Sequence, residues 1–155
     1  MRREDRYDSL FKFYALSNVT GGTVDWTAIK AQAMAESSMD PLARSPVGAQ
    51  GLMQFMPATW QEWNNRLSPE ILLDPFNAEH SIWLGTSYMA YLLGRFGRLD
   101  MARAAYNWGL GNVTKHIEAN GGELVSSKLP AETSDYLDRI DKFHDAQRRL
   151  AMDSI

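Results

Sequence analysis

The sequence predicts a mostly α-helical fold. Apolar residues recur at helical spacing in several segments, and alternating strand patterns of any length are absent. The length of 155 residues favours one domain over residues 1–155 with a self-sufficient core. Residues 43–56, which contain Pro46, Gly48 and Gly51, are expected to form a loop or a small hairpin.

Capping and helix-breaking residues set the expected boundaries of the helices. Asp25 is predicted to cap the second helix, with Val24 and Ile29 as a hydrophobic staple, and the helix should end near Ser38 before Pro41. The first helix is expected to end near residues 21–22, and residues 107–111 are expected to open into a loop. The predicted helices cover residues 10–16, 25–38, 57–63, 77–96, 101–106, 112–119 and the segment from about 133 onward.

Composition excludes several classes of protein. The formal charge of −3 does not suggest a nucleic-acid binder, and the absence of cysteine excludes disulfides, thiol nucleophiles and cysteine-ligated metals. His80, His116 and His144 stand alone, so no metal site is expected. The sequence has no Gly-x-Ser-x-Gly motif of a serine hydrolase and no apolar run of the ~20 residues that a membrane span needs.

Glu36 is the first anomaly in the predicted helical pattern. It shares an arc of about 80° with Trp26, Ile29 and Ala33 on the second helix, so a carboxyl lies on an apolar face. Burial there would raise its pKa and suit it to donate a proton in catalysis. The alternative is a glutamate exposed at the helix end or paired with Arg44.

Residues 48–57, Gly-Ala-Gln-Gly-Leu-Met-Gln-Phe-Met-Pro, follow as a second unusual segment. They lack the Gly-Lys-Ser/Thr ending of a phosphate-binding loop. The glycines would allow close approach of a ligand, the apolar residues would line a wall, and Gln54 would offer amide hydrogen bonds. The alternative is a tight turn followed by core residues.

These residues resemble a known family. Glu36-Ser37, the segment from Ser45 through 48–57, residues 105–109 (Ala-Tyr-Asn-Trp-Gly) and residues 129–136 (Leu-Pro-Ala-Glu-Thr-Ser-Asp-Tyr) resemble, in order, the motifs of the soluble lytic transglycosylase (SLT) catalytic domain. That family belongs to the lysozyme-like superfamily and is close to goose-type lysozymes. The resemblance covers about residues 25–143 and implies a lysozyme-like helical fold, with residues 1–24 as an N-terminal helical extension.

The resemblance also implies roles for individual residues. Glu36 would be the catalytic acid and base, and Ser37 would orient its carboxyl or contact an N-acetyl group of the substrate. Trp108 departs from the small residue usual in the family, which affects the expected width of the cleft. The other implied substrate-binding residues are Met53, Gln54, Tyr106, Asn107 and Tyr136, and for Met53 and Tyr136 plain core packing is the alternative.

The implied reaction cleaves the β-1,4 bond between N-acetylmuramic acid and N-acetylglucosamine in peptidoglycan. A single carboxyl protonates the glycosidic oxygen and then removes the proton of the 6-hydroxyl, which closes a 1,6-anhydro ring without a metal or another cofactor. Asp40, Glu62, Asp74 and Glu79 are candidates for the second carboxylate that most glycosidases use, but none lies in a motif that pairs it with Glu36. Alternatives are a goose-type hydrolase on the same fold and a non-catalytic peptidoglycan-binding module.

The N-terminal residues 1–8 are charged and precede no apolar stretch, so no secretory signal is predicted. Because the implied substrate lies in the periplasm or cell wall, this combination suggests a phage-encoded enzyme, carried in the virion or released at lysis with other virion or lysis proteins as partners. A trimmed catalytic domain of a larger secreted protein would have the same features.

Overall fold

The computed structural model describes residues 1–17 and 24–153. Its described part is helical, and its only β-type pairings are two isolated antiparallel bridges, Arg44 with Gln50 and Gln50 with Phe55. This confirms the predicted mostly α-helical class, with the 43–56 segment as a loop. The helices are α1 (Asp8–Ser17), α2 (Trp26–Ser37), α3 (Pro57–Leu67), α4 (Ala78–Phe96), α5 (Leu99–Trp108), α6 (Leu110–Ala119) and α7 (Ala131–Asp153), with short 3-10 helices at Arg3–Asp5 and Ser126–Lys128.

Helix α2 lies at the centre of the fold and packs against α1, α4 and α7. The Asp25 carboxylate accepts a hydrogen bond of 2.9 Å from the Thr27 backbone amide, which confirms the predicted cap. Buried residues lie on most sides of α2, and Ala28, Ala31 and Ala33 allow neighbouring helices to approach closely. A helix enclosed in this way holds the side chains at its end in fixed positions.

Lys30 connects α2 to the N-terminal segment. Its side chain is only 1% exposed, and Nζ lies 2.7 Å from Asp5 Oδ1 and 2.8 Å from Asp8 Oδ1. Two carboxylates compensate the buried ammonium, which would otherwise be strongly unfavourable in the interior. Residues 1–8 therefore pack onto the helical domain.

Helix α4 packs against α1, α3 and α5. The Asn77 side chain accepts from the His80 amide at the start of α4, and Gly97 ends the helix in the left-handed region at a φ of 73°. Both boundaries were predicted from sequence. None of the helices in residues 1–17 and 24–153 is long and apolar enough to cross a membrane.

The predicted loop over residues 107–111 is wrong. Helix α5 continues through Asn107 and Trp108, and α6 begins at Leu110. Gly109, at a φ of 105°, is the single residue between the helices; its amide donates to Ala105 O and its carbonyl accepts from the Val113 amide. One glycine suffices because it adopts a conformation that other residues rarely reach. The predicted end of the first helix, near residues 21–22, lies outside the described residues.

Candidate active site

An open cavity of about 200 Å³ contains the carboxyl of Glu36. Other cavities are larger, including one of about 450 Å³ beside Trp60, so size alone does not select this one. Its chemistry does, because a partly buried carboxyl meets aromatic, amide and apolar side chains there. The lining residues are Glu36, Ser45, Val47, Ala49, Gln54, Met56, Tyr106, Asn107 and Glu132.

Glu36 lies in the last turn of α2. The helix ends at Ser37 because Ser38 and Met39 both adopt the left-handed region, at φ values of 53° and 62°. Such conformations cost about 1 kcal/mol or more for a residue with a side chain. Met39 is only 2% exposed, so burial of its side chain offsets the strain. The chain thus turns away directly after Glu36 and leaves its carboxyl at the cavity wall.

The environment of Glu36 raises its pKa from 4.5 to about 7. Burial is the largest cause, and the negative charge of Glu132 acts in the same direction; Tyr136 and Arg139 oppose them. The side chain keeps some exposure toward the cavity, but protein surrounds it on its other sides, so the carboxylate form is poorly solvated. A carboxyl with this pKa can give and take a proton near neutral pH.

The loop 43–56 forms one wall of the cavity, and its own backbone hydrogen bonds hold it in shape. Gln50 and Phe55 exchange backbone bonds of 2.9 and 3.1 Å, and the Gly51 amide donates to Ala43 O at 2.9 Å. Gln54, at a φ of 51°, donates its side-chain amide to Gly51 O at 2.9 Å and to Ala43 O at 3.2 Å. The loop is therefore held as a closed unit, with the apolar side chains of Val47 and Met56 exposed on the cavity side.

Tyr106 and Asn107 form the wall contributed by α5. The Tyr106 hydroxyl donates to Met53 O at 2.7 Å, which joins α5 to the loop. Burial and the nearby Glu36 raise the pKa of Tyr106 well above its ordinary value, so the phenol stays protonated. Asn107 Oδ1 accepts from the Thr133 hydroxyl at 2.9 Å, which joins α5 to α7 and fixes the direction of the amide.

Tyr136 of α7 approaches Glu36 from the protein side. Its ring is 2% exposed, and its buried hydroxyl has no hydrogen bond of ordinary geometry to any described atom. It still lies close enough to Glu36 to lower the pKa of the carboxyl by a hydrogen-bond interaction. Tyr136 thus lies behind the carboxyl rather than in the cavity.

We expect Tyr136→Phe to raise the pKa of Glu36 further, because it removes the neighbour that most favours the ionised carboxyl. A shift of about half a unit to one unit corresponds to the loss of one imperfect hydrogen bond to a charged group. In the pH dependence of kcat/KM, this change in pKa should shift the alkaline limb to higher pH. Tyr91→Phe, outside the cavity lining, is the control; an identical profile in Tyr136→Phe would assign Tyr136 to core packing alone.

Residues 13–126 match the family described as the transglycosylase SLT domain. The chain belongs to this family. The match includes Glu36, the 43–56 loop and the Tyr106-Asn107 pair, whereas Glu132, which also lines the cavity, follows the matched residues.

Relatives and solved structures agree with this assignment. The SLT domain is 35% identical over 146 residues to the soluble lytic murein transglycosylase of Escherichia coli, covering 86% of this chain and 22% of that protein. It is 35% identical over 140 residues to the membrane-bound lytic murein transglycosylase F of Shewanella halifaxensis, covering 81% of this chain and 27% of that protein.

Two structures of a 70-kDa soluble lytic transglycosylase have the same fold. The Escherichia coli enzyme superposes with a TM-score of 0.81 at 31% identity, over 96% of this chain and 25% of that one. A complex with bulgecin A superposes with a TM-score of 0.82 at 31% identity, over 97% of this chain and 25% of that one. The SLT domain described here therefore spans about a quarter of the length of these proteins.

The structure changes the interpretation of two predicted substrate-binding residues. The prediction that the Met53 side chain lines the cleft is wrong: it is 0% exposed and packs against Gly85, where even a Cβ would lie 2.6 Å from Met53 Cγ. Ser37 is also buried, and its hydroxyl donates to Ala33 O at 3.0 Å. Only the Met53 carbonyl contributes to the site, through Tyr106.

The remaining predicted residues divide between the cavity and its support. Gln54, Tyr106 and Asn107 line the cavity with Glu36, whereas Tyr136 does not reach it. The alternative pairing of Glu36 with Arg44 is not found, because the Arg44 guanidinium lies over the Phe76 ring, 4.4 Å from its centroid.

Sequence reasoning missed Glu132 and Arg139, the two charged side chains of α7 that act on Glu36. The four acidic residues considered in the sequence are not among the residues that line the cavity, whereas Glu132 is. The spacing along the sequence could have indicated Glu132. It precedes Tyr136 by four residues, about one helical turn, so both residues lie on the same side of α7.

Proposed function

We propose that this SLT domain is a peptidoglycan lytic transglycosylase that cleaves the bond between N-acetylmuramic acid and N-acetylglucosamine with Glu36 as its single acid and base. The observation that carries the proposal is the Glu36 carboxyl, held at the cavity with a pKa of about 7. Relatives named murein transglycosylases, and a similar structure in complex with bulgecin A, support the substrate class.

The first chemical step uses protonated Glu36. Its proton passes to the glycosidic oxygen, the bond from that oxygen to C1 of the muramic acid breaks, and the 4-hydroxyl of N-acetylglucosamine leaves. The carbonyl oxygen of the neighbouring N-acetyl group stabilises the positive charge at C1. Glu36 is now ionised, and Tyr136 and Arg139 are the neighbours that stabilise this form.

The second step returns the proton to Glu36. The carboxylate removes it from the 6-hydroxyl of the muramic acid, O6 bonds to C1, and a 1,6-anhydro ring closes. No water is consumed, and the carboxyl finishes in its starting form. A pKa near 7 suits this cycle because one group must be a competent acid and then a competent base.

The other cavity residues would bind and orient the sugars. Gln54 and Asn107 have side-chain amides at fixed positions, and Val47 and Met56 offer exposed apolar surface to a sugar face. The substrate places the site of action at the bacterial cell wall. Association with a virion or with other lysis proteins stays a prediction of the sequence.

Mass spectrometry of the muropeptides released from purified peptidoglycan tests the proposal. We expect products that end in 1,6-anhydromuramic acid, one water lighter than hydrolysis products. Products with a reducing muramic acid would instead identify a goose-type hydrolase. Binding without release would identify a peptidoglycan-binding module and would overturn the enzymatic proposal.

A further inference from the structure

A buried arginine on α5 lies outside the cavity lining and contacts α7, the helix that carries Tyr136. Arg103 of α5 is 3% exposed, and its guanidinium donates to Asp141 Oδ1 at 3.0 Å and pairs with His144 Nδ1 at 3.0 Å, both on α7. A buried cation is not a stabilising choice by itself, since an apolar residue of similar volume at such a site is often neutral or favourable for stability.

The hydrogen bonds around Arg103 hold its guanidinium in one orientation. Arginine only donates, so His144 Nδ1 accepts, and the neutral ring then donates from Nε2 to Asp25 Oδ2 at 3.3 Å. Burial and the charge of Arg103 lower the pKa of His144, which keeps the ring neutral. Asp25 also caps α2, so the network connects α5 and α7 to the helix that carries Glu36.

Two buried polar atoms in this region lack a partner among the described residues: Arg103 Nε and Tyr136 Oη. Helix α5 contacts α7 at Asn107 with Thr133 and at Arg103 with Asp141, so Tyr136 lies between these two contacts along α7. The charge of Arg103 acts on the Tyr136 hydroxyl, and that hydroxyl acts on Glu36. In this structure the two atoms are not hydrogen-bonded to each other, so a donor and a hydroxyl that could pair are left unpaired in the interior.

We propose that Arg103 is a positioning residue for the reaction: when Glu36 is ionised, Arg103 Nε moves to donate to Tyr136 Oη, and the Tyr136 hydroxyl then donates a hydrogen bond to Glu36. The proposal deepens the proposed function and rests on it. Arg103 lies outside the cavity lining and does not contact the substrate. It acts through Tyr136 on the second chemical step, in which Glu36 is ionised.

Other charged groups face the same elements and must be held constant in a test. Glu132 and Arg139 of α7 and Tyr106 of α5 lie around Glu36. Asp100 of α5 and Asp141 of α7 act on Arg103, and Arg148 acts on His144. None of these groups is altered in the variants below, so a change in the pKa of Glu36 measures the effect of Arg103.

The test is a titration of the Glu36 side-chain carboxyl by ¹³C NMR in the full chain without substrate, with the signal assigned by its loss in Glu36→Gln. We expect Arg103→Met to raise the midpoint by about half a unit, because a favourable interaction with the ionised carboxyl is lost. Arg103→Lys should restore part of the shift, and Arg98→Met, which removes an exposed cation before α5, should leave the midpoint unchanged. Arg103→Gln replaces Arg103→Met if the apolar variant does not fold.

A double-variant cycle decides whether the effect passes through Tyr136. In the Tyr136→Phe background, Arg103→Met should cause no further shift. An unchanged midpoint in Arg103→Met, or the same shift with and without the Tyr136 hydroxyl, would overturn the proposal. The pH profile of kcat/KM on peptidoglycan should move with the titration. A wild-type protein that titrates as expected but releases no anhydro product would contradict the proposed function. The effect of Arg103 on the titration of Glu36 could still be interpreted in that case.

Discussion

Glu36→Gln is expected to abolish release of muropeptides while the fold is retained. The amide has the size of the carboxyl but can neither give nor take the proton that both chemical steps require. General acid–base groups contribute about 10²–10⁴-fold to rate, and here one group serves both steps, so we expect a loss of at least about 10³-fold. Turnover of purified peptidoglycan measures it. Glu118→Gln, an exposed glutamate on α6, is the matched control and should keep full activity.

The same substitution should stabilise the protein at alkaline pH. Because the pKa of Glu36 is raised from 4.5 to about 7 on folding, the folded state binds this proton more tightly between those values, and stability falls as pH rises through that window. Above pH 7 the penalty reaches up to about 3 kcal/mol, since one pKa unit corresponds to about 1.4 kcal/mol. Glu36→Gln removes this penalty.

Melting temperatures of the variant and the wild type should therefore converge near pH 4.5 and separate at pH 8, with the variant higher. The difference between the two pH values isolates the ionisation from any change in packing that the amide introduces. A variant that is no more stable at pH 8 than at pH 4.5, relative to the wild type, would show that Glu36 ionises as freely as an exposed carboxyl.

Gly51→Ala is expected to lower the free energy of unfolding by at least about 3 kcal/mol, or to prevent folding, because it combines a steric clash with backbone strain. A Cβ at Gly51 would lie 1.9 Å from the Pro75 carbonyl oxygen, which belongs to the backbone and cannot rotate away, and the residue has a φ of 80°. The loop that carries Gln54 would have to move away from the segment before α4.

Gly48→Ala is the matched control in the same loop. Gly48 has a φ of 99°, but a Cβ there would meet no atom within 4 Å, so only the strain of a left-handed residue remains, about 1–2 kcal/mol. Urea denaturation of both variants measures the difference. Equal losses would contradict the close approach of Gly51 to Pro75.

Local sequence patterns predicted some helix boundaries correctly and one incorrectly. The Asp25 cap and the bounds of the helix over residues 77–96 were predicted because each depends on a few neighbouring residues. The loop predicted over residues 107–111 was wrong because one glycine can separate two helices. The sequence pattern does not indicate whether the residues on either side of that glycine are helical.

The candidate site shows the same division. Glu36 was found from its position on an apolar helix face, and Gln54, Tyr106 and Asn107 from motifs that resemble the family. Met53 was assigned to the cavity because it lies beside Gln54 in the same motif, but neighbouring residues of a turn point in different directions, and the absence of a side chain at Gly85 makes room for it in the core.

The amino-acid sequence by itself determined the helical class, the family motifs and the position of Glu36 on an apolar helix face, because these depend on residue type and on spacing along one segment. Only the tertiary structure decided what surrounds that residue. Tyr136 and Arg139 come from α7, about a hundred positions from Glu36 in the chain, and Tyr106 comes from α5. A pKa is set by burial and by charges a few ångströms away, and these distances exist only after α2, α5 and α7 have packed.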